Sequence, residues 1–243
     1  MSGDVYDDYD AFAGVYDRHW GYFAAAIRPV LDRLALGNLP DSAHVVDLCC
    51  GTGVLAASLS DRFRVTGIDG SSAMIDYART NAPDASFIVA DAREFELADT
   101  AAAVVSTFDS LNHVMSIEEL ADVFRRVRAI LEPGGVFIFD LNMADGFDKR
   151  WRDGPSIADE RDVVVGKMGW DPETGVANID LALVERSDDG ELRRTDFTLT
   201  QRAYGEPEVT DALRTAGFEE TQVFDGADDL NFGGVGRAFF VAR

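Results

Sequence analysis

The sequence lacks the segments that mark a membrane or secreted protein. No apolar run approaches the roughly 18 residues that a membrane-spanning helix needs. The first residues hold neither the basic region nor the apolar core of a secretory signal. The two cysteines, Cys49 and Cys50, are adjacent and cannot link distant parts of a fold. These absences predict a reduced, cytoplasmic protein.

Positive charge is scarce as well. The sequence has 22 lysines and arginines against 44 acidic residues, a net charge of −22, and only Lys149 and Lys167 are lysines. Such a surface repels polyanions, which disfavours nucleic acid as a partner. The 47% of hydrophobic residues excludes disorder, and 243 residues fit one domain or one domain with an elaboration.

Short apolar runs alternate with helical patterns along the first two thirds of the chain. Ser116 and Glu119 form a capping box that starts one helix, and Pro133 with two glycines after it stops that helix. The strand candidates are residues 43–48, 64–68, 86–89, 102–106, 136–141, 222–224 and 237–241. This alternation predicts an α/β fold with a Rossmann-like, seven-stranded, mostly parallel sheet and helices on both faces.

The rhythm changes after residue 150. Apolar residues occupy every second position from 177 to 183, turns flank this run, and residues 163–170 and 192–203 are its neighbours. The pattern predicts an inserted, three-stranded antiparallel β meander. The predicted divisions are an N-terminal helical segment (1–36), the core (37–150), the insertion (151–204) and a C-terminal completion of the core (205–243).

The sharpest chemical signal is a glycine loop between a buried strand and a helix. Gly51 and Gly53 let the backbone approach a ligand, and the helix that follows offers free N–H groups. Asp47 stands at the tip of the strand, where it would repel a pyrophosphate but could hold an ammonium group. Together with the missing third glycine, this argues against NAD or FAD.

Two further carboxylates follow at equal intervals. Asp69 comes 22 residues after Asp47, and Asp91 comes 22 residues after Asp69. This interval brings all three to one edge of the sheet, where ligands of open α/β sheets bind. An acid at Asp69 can accept the hydroxyls of a ribose. A single aspartate there could be only a cap, but three in register favour a binding site.

Residues 47–53, Asp-Leu-Cys-Cys-Gly-Thr-Gly, resemble the first motif of the class I S-adenosylmethionine-dependent methyltransferases. The resemblance covers nearly the whole chain and implies S-adenosylmethionine as the cofactor. Within that class, residues 12–17, 108–113 and 137–142 are similar to the amino-sugar N,N-dimethyltransferases of antibiotic pathways. Those enzymes also insert antiparallel strands beside the acceptor. The cofactor contacts that the resemblance implies are Tyr16, Trp20, Asp47, Cys50, Gly51, Thr52, Gly53, Asp69, Gly70, Met74, Asp91, Ala92, Arg93 and Phe108.

The candidate catalytic residues are His113 and Asp109. The resemblance aligns His113 with a histidine that faces the acceptor, and Asp109 lies on the same crossing of the sheet edge. An oxygen or carbon acceptor usually needs a base, whereas positioning can suffice for a neutral nitrogen. The alternative for His113 is a helix cap or a core residue.

Four further residues are candidates for contact with the acceptor. Asp140 and Asn142 follow the fifth strand, and Trp151 and Arg237 come from the insertion and the closing strand. Packing or a surface ion pair is the alternative for Trp151 and Arg237. The scattered histidines and adjacent cysteines lack metal-ligand spacing, so no metal is predicted.

The sequence therefore predicts an enzyme, an S-adenosylmethionine-dependent methyltransferase of a small-molecule acceptor. The methylated atom is the nitrogen of an amine or amino sugar, or an oxygen. The alternatives are a non-catalytic S-adenosylmethionine-binding protein and, less favoured, an RNA-modifying methyltransferase. The predicted partners exclude nucleic acid and membrane, and the predicted state is a monomer or homodimer.

Overall fold

The computed structural model describes residues 5–187 and 189–243. Its strands are β1 (His44–Leu48), β2 (Arg64–Asp69), β3 (Ser86–Val89), β4 (Ala101–Ser106), β5 (Leu131–Asn142), β6 (Ser156–Ala158), β7 (Asp162–Asp171), β8 (Val176–Arg186), β9 (Leu192–Arg202), β10 (Thr221–Asp225) and β11 (Arg237–Ala242). Its helices are α1 (Val5–His19), α2 (Tyr22–Leu34), α3 (Val54–Leu59), α4 (Ser72–Asn81), α5 (Ile117–Ile130), α6 (Ala144–Arg150) and α7 (Glu206–Thr215), with short 3-10 helices at Leu36–Asn38 and Ser110–His113. Across the described ranges, no helix has the length and apolar character needed to cross a membrane.

Seven strands form the first sheet, in the order β10-β11-β5-β4-β1-β2-β3. Strands β1 to β5 pair in parallel, whereas β11 runs antiparallel to β5 and to β10. The prediction of a seven-stranded, mostly parallel sheet is confirmed. The carboxyl ends of β1, β2 and β4 therefore meet at one edge of the sheet.

Helices cover both faces of this sheet, so its central strands are buried and largely apolar. Every residue of β1 is buried. Val45 packs on the side of α2 and α3, and Val46 packs on the side of α5 and α7, since successive strand residues point to opposite faces. The Ser116 hydroxyl accepts a hydrogen bond from the Glu119 backbone N–H, so α5 starts at the predicted cap.

The predicted turn after α5 is part of a strand. Helix α5 ends at Ile130, and β5 begins at once with Leu131. Leu131 pairs with Ala101 and Val136 pairs with Ala103, so the Pro-Gly-Gly segment bulges out of the strand. Gly134, with φ of +80°, permits this bulge.

The second sheet has four antiparallel strands in the order β6-β7-β8-β9. The prediction of three strands was wrong by one, because β6 pairs with β7 and is too short to show a period of two. Phe12 and Val15 of α1 pack against Leu181 and Leu199 of this sheet. On its other side α1 reaches α4, where the Asp10 carboxylate accepts the Ala73 backbone N–H at 3.0 Å. The four-part division of the chain stays a prediction.

Candidate active site

A cavity of about 440 Å³ opens at the carboxyl edge of the first sheet. Its walls come from the ends of β1, β2 and β4, from α1, and from one face of the second sheet. The predicted site residues that line it are Tyr16, Trp20, Gly51, Asp69, Gly70, Met74, Asp91, Ala92, Arg93, Phe108, Asp109, His113, Asn142, Trp151 and Arg237. The predicted residues outside its lining are Asp47, Cys50, Thr52, Gly53 and Asp140.

The loop after β1 follows a left-handed course, with φ of +61° at Cys49, +52° at Gly51 and +78° at Gly53. A Cβ on Gly51 would meet only Tyr16, at 3.6 Å, so this glycine presents open backbone to the cavity. A Cβ on Gly53 would lie 2.9 Å from the backbone of Ala78 in α4. Gly53 therefore serves the close approach of two helices, and not ligand contact.

The two cysteines lie on different sides of the loop. Cys49 lines the cavity, whereas the Cys50 sulfur lies against Gly67 of β2, 2.9 Å from where a Cβ would be. The resemblance pointed to Cys50, and the structure brings its neighbour to the cavity instead. Burial raises the pKa of both cysteines, so they are neutral thiols that pack.

The Asp69 carboxylate closes the glycine loop from the end of β2. Its Oδ2 accepts the Gly51 N–H at 2.8 Å, and its Oδ1 accepts the Ser71 N–H at 2.9 Å. Burial raises the pKa of Asp69, and these backbone donors act against that rise. The Gly70 backbone N–H also bonds this carboxylate, which faces the cavity and keeps lone-pair capacity for a ligand hydroxyl.

Asp47 lies beneath the loop, only 2% exposed. The Ala56 backbone N–H at the start of α3 donates to its carboxylate, while Oδ2 has no hydrogen-bond partner. Burial, followed by repulsion from Asp69, raises the pKa of Asp47 to about 8. A buried acceptor with no partner suits a positively charged donor from a ligand.

Tyr6 of α1 covers the far end of the cofactor side. Its ring rests on Gly70, where a Cβ would lie 2.0 Å away, and its hydroxyl hydrogen-bonds the Asp91 carboxylate. Arg93 Nε donates to Asp91 at 2.9 Å. Burial raises the pKa of Asp91, but the hydrogen bonds from Arg93 outweigh it and leave that pKa below its usual value. Met74, 1% exposed, closes this end with apolar surface.

A buried ion-pair cluster supports the other end. The Arg237 side chain is 4% exposed, and its terminal nitrogens contact Asp109, at 2.6 Å, and Asp140. Asp140 also accepts the backbone N–H groups of Phe108, at 2.7 Å, and Asp109, at 3.0 Å. The expectation that Asp140 and Arg237 contact the acceptor is corrected in part. Asp140 anchors the turn, and Arg237 reaches the wall of the cavity with its charge held by two carboxylates.

His113 lines the cavity with both ring nitrogens bonded. Its Nδ1 lies 2.8 Å from the Thr200 carbonyl oxygen, and its Nε2 lies 2.9 Å from the Tyr9 hydroxyl. The Gln201 amide nitrogen lies 3.3 Å from Nε2 and donates to Asp109 Oδ2 at 2.7 Å. Burial lowers the pKa of His113, and the negative charge of Asp109 acts in the opposite direction without cancelling that shift.

The acceptor side of the cavity is otherwise apolar. Met168, Ile179, Leu181 and Leu199 of the second sheet face it. The Trp151 indole N–H donates to the Asn178 carbonyl at 3.1 Å, so this side chain is fixed in the wall. Asn142 also lines this side, with its amide oxygen bonded to Arg150 at 2.7 Å.

Among the described residues, one group brings three possible metal ligands within 4.8 Å of one another, namely His19, Asp159 and Asp162. Arg18 binds both oxygens of Asp162, at 2.6 and 2.8 Å. This group is therefore an ion-pair cluster that joins α1 to β7.

Sequence reasoning missed Tyr9 and Gln201. Tyr9 is one of seven aromatic residues in the N-terminal segment, and nothing in the sequence separates it from the others. Gln201 carries a weak signal, because it continues the face of β9 that holds Phe197 and Leu199. A polar residue at the end of an apolar face marks a change of environment.

The hydrogen-bonding groups and the apolar surfaces around the cavity fit S-adenosylmethionine. Asp69 suits the ribose hydroxyls, and the open backbone of Gly51 leaves room beside it. Asp47 lies behind the loop, and its unpartnered oxygen is the nearest buried acceptor for the amino group, although Asp47 is outside the cavity lining. Apolar surface from Met74 and the Tyr6 ring suits an adenine. A cofactor with a pyrophosphate would place its charge against two carboxylates.

Comparisons with known proteins point to the same cofactor. A family model for a methyltransferase domain matches residues 45–135. A dTDP-3-amino-3,4,6-trideoxy-alpha-D-glucopyranose N,N-dimethyltransferase of Streptomyces venezuelae is 33% identical over 164 residues, which are 64% of this chain and 68% of that protein. A solved S-adenosylmethionine-dependent methyltransferase from Clostridium acetobutylicum matches with a TM-score of 0.79 at 19% identity, over 97% of this chain and 98% of its own. The S-adenosylmethionine-bound structure of an amino pentose methyltransferase from Micromonospora echinaspora matches with a TM-score of 0.70 at 25% identity. The match covers 100% of this chain and 97% of that protein's chain.

The seven-stranded sheet and the cavity at its carboxyl edge agree with a methyltransferase that uses S-adenosylmethionine, which the family model and the relatives show. The chain belongs to the class I S-adenosylmethionine-dependent methyltransferases.

Proposed function

We propose that this enzyme methylates the amino nitrogen of a small molecule, with an amino sugar as the acceptor class. Three curated relatives are named as N,N-dimethyltransferases of dTDP-linked amino sugars, at 33%, 30% and 27% identity. The proposal narrows the predicted choice between nitrogen and oxygen to nitrogen.

The observation that carries this proposal is the hydrogen-bond polarity at the acceptor end. The donors of His113 and Gln201, and the terminal nitrogens of Arg237, are already bonded to acceptors within the protein. The acceptors left for a ligand are lone pairs on Asp109 and the Gln201 Oε1, which is buried without a partner, and the Arg237 Nε is a buried donor without a partner. An amine or a hydroxyl brings a donor that satisfies such acceptors, whereas a carboxylate acceptor brings none. The choice of nitrogen over a hydroxyl oxygen is supported by the three relatives named as N,N-dimethyltransferases.

S-adenosylmethionine, when bound, supplies a methyl group on a positively charged sulfur. We assign the ribose hydroxyls to Asp69, the amino group to Asp47, and the adenine to Met74 and its neighbours. The second sheet excludes water with Leu181 and Leu199 and shapes the acceptor pocket. The protein's contribution to transfer is then to hold the amine in line and dry, which can supply much of the rate enhancement.

We also propose a compartment, a class of partner and an assembly for this enzyme. The net charge of −22 and the adjacent, buried cysteines support work in the cytoplasm, on a small molecule and without nucleic acid. The proposed assembly is a monomer or homodimer.

The test is a panel of matched acceptors with S-adenosylmethionine. The panel pairs a nucleotide-linked amino sugar with its hydroxyl counterpart and adds a small carboxylate, and Asp69→Ala serves as the control with impaired cofactor binding. We expect S-adenosylhomocysteine to form only with the amine, with one and then two methyl groups found on nitrogen by mass spectrometry and NMR. Methyl transfer to the hydroxyl or the carboxylate would refute the proposal.

A further inference from the structure

We propose that Arg150 and Asn142 bind a negatively charged group of the acceptor, a carboxylate or a phosphate that is not itself methylated. Such a site selects, among amines, those that also carry an oxyanion. The inference rests on the proposed function, since it narrows the class of amine that the enzyme takes.

The first observation is the charge of Arg150. Three arginines line the cavity, and Arg93 and Arg237 are each paired with two carboxylates. Arg150 hydrogen-bonds neutral oxygens instead, the Val235 carbonyl from Nε at 2.7 Å and the Asn142 amide from Nη2 at 2.7 Å. Across the part of the chain that the structure describes, no carboxylate forms an ion pair with Arg150. Its positive charge therefore has no direct counter-charge.

More distant charges do not supply that counter-charge. The carboxylates whose negative charge reaches Arg150 are Asp109 and Asp140, and both are held by Arg237. The positive charge of Arg237 also reaches Arg150 and opposes their effect. Asp153 lines the same cavity but forms no ion pair with Arg150. A ligand oxyanion would be the first negatively charged group to contact this guanidinium.

The second observation is the set of donors that the two side chains keep. A guanidinium has five N–H groups, and those with a partner on Arg150 are one on Nε and one on Nη2. Because a guanidinium only donates, its bond to Asn142 fixes which end of that amide is the oxygen. The Asn142 amide nitrogen has no hydrogen-bond partner among the described residues, and both side chains line the cavity. Such N–H groups are the donors that carboxylates and phosphates accept.

The third observation is that glycines make room for Arg150. A Cβ on Gly234, in the loop between β10 and β11, would lie 3.4 Å from the Arg150 Cδ. A Cβ on Gly146 would lie 3.0 Å from its Nη2. Side chains at these two positions would crowd the arginine, whereas glycines let it lie along the loop and reach the Val235 carbonyl. The guanidinium is thus held in the wall before a ligand arrives, which lowers the cost of binding.

Matched forms of one sugar test the proposal by isothermal titration against the enzyme loaded with S-adenosylhomocysteine. The probes are glucosamine, glucosamine 1-phosphate and the corresponding amino uronic acid, so that phosphate and carboxylate are distinguished. We expect the wild-type enzyme to bind at least one charged form about tenfold or more tightly than glucosamine, the effect of a charged hydrogen bond. If neither charged form binds more tightly than glucosamine, the proposal is wrong.

The variant Arg150→Met should weaken binding of the favoured charged form about tenfold or more, and binding of glucosamine much less. The matched control is Arg152→Met, which removes an exposed cation bonded to the Asp148 carbonyl and should keep the preference. Equal losses for the charged and neutral forms would make Arg150 a structural residue. A loss confined to S-adenosylmethionine would assign Arg150 to the carboxylate of the cofactor. Either result would overturn the proposal.

The comparison of probes on the wild-type enzyme needs no variant, so it decides the proposal even where Arg150→Met does not fold. Glucose 1-phosphate and glucuronic acid carry the charge without the amine and separate this inference from the proposed function. If they bind more tightly than glucose while no amine is methylated, the proposed function alone fails. If amines are methylated with no preference for a charged form, this inference alone fails.

Discussion

The two ends of the cavity are built in different ways. At the cofactor end, Asp69 hydrogen-bonds Gly51, 18 residues away along the chain, across two neighbouring parallel strands. At the acceptor end, Asp109 pairs with Arg237 over 128 residues, and Tyr9 pairs with His113 over 104 residues. The glycine loop and Asp69 of the cofactor end therefore depend on local chain geometry, whereas the cover that Tyr6 provides there and the whole acceptor end depend on the completed tertiary structure. Substitutions at the cofactor end should change the affinity for the ligand, whereas substitutions at the acceptor end should also change the stability of the protein.

The largest expected effect is on stability, from Arg237→Met. The substitution leaves Asp109 and Asp140 buried without their counter-charge, and breaking a buried pair typically costs about 3–5 kcal/mol of unfolding free energy. Denaturant unfolding followed by circular dichroism measures this loss. The control is Arg194→Met, which removes an exposed pair with Asp196 and should leave the midpoint unchanged. Equal effects from the two substitutions would mean that the acceptor end does not depend on this cluster.

The second effect is on cofactor affinity, from Asp69→Ala. Loss of hydrogen bonds between a charged group and the ribose hydroxyls should weaken binding by about 1.5–3 kcal/mol, measured by isothermal titration. Tyr9→Phe is the matched change at the acceptor end and should leave the affinity within a few fold. If Tyr9→Phe weakened cofactor binding as much as Asp69→Ala, the separation of the two ends would be wrong.

The same difference explains what could be predicted from the sequence. Gly51 follows β1, Asp69 ends β2, and Met74 lies in the first turn of the helix after β2, so strand order alone brings them to one edge of the sheet. The pairing of Arg237 with Asp109 was not predictable, because it requires β11 to lie beside β5 and Phe108 to turn with φ of +64°.

The sequence also could not predict which single residues of a correctly predicted element face the cavity. The glycine loop was predicted, but which of its residues face the cavity depends on the left-handed course at Cys49. Tyr9 shows the same limit, since helical periodicity puts several aromatic residues on neighbouring faces of α1 and only packing against the second sheet selects among them.

The third prediction concerns proton release at the cofactor end. With its pKa raised to about 8, Asp47 is mostly protonated at neutral pH before the cofactor binds. If the cofactor ammonium binds the carboxylate form, affinity should rise by up to about tenfold per pH unit toward pH 8, with release of up to one proton. Isothermal titration in buffers of different ionisation enthalpy measures that proton. Binding with no proton release would reduce Asp47 to a cap of α3.

The smallest expected effect is the pH response of the acceptor end. Burial lowers the pKa of His113, so its imidazole stays neutral below the ordinary value of about 6.5. Its favourable contribution to stability is complete above that ordinary value and is lost as the pH falls through the lowered one. Turnover should therefore keep the contribution of His113 down to about pH 6.5, where an unperturbed histidine would already be half protonated.

The ratio of wild-type to His113→Asn activity isolates this contribution, because titration of the acceptor amine cancels in the ratio. We expect the ratio to be flat from about pH 7.5 to about pH 6.5 and to fall only below that range. A ratio already halved at about pH 6.5 would mean that His113 is solvated like an exposed histidine.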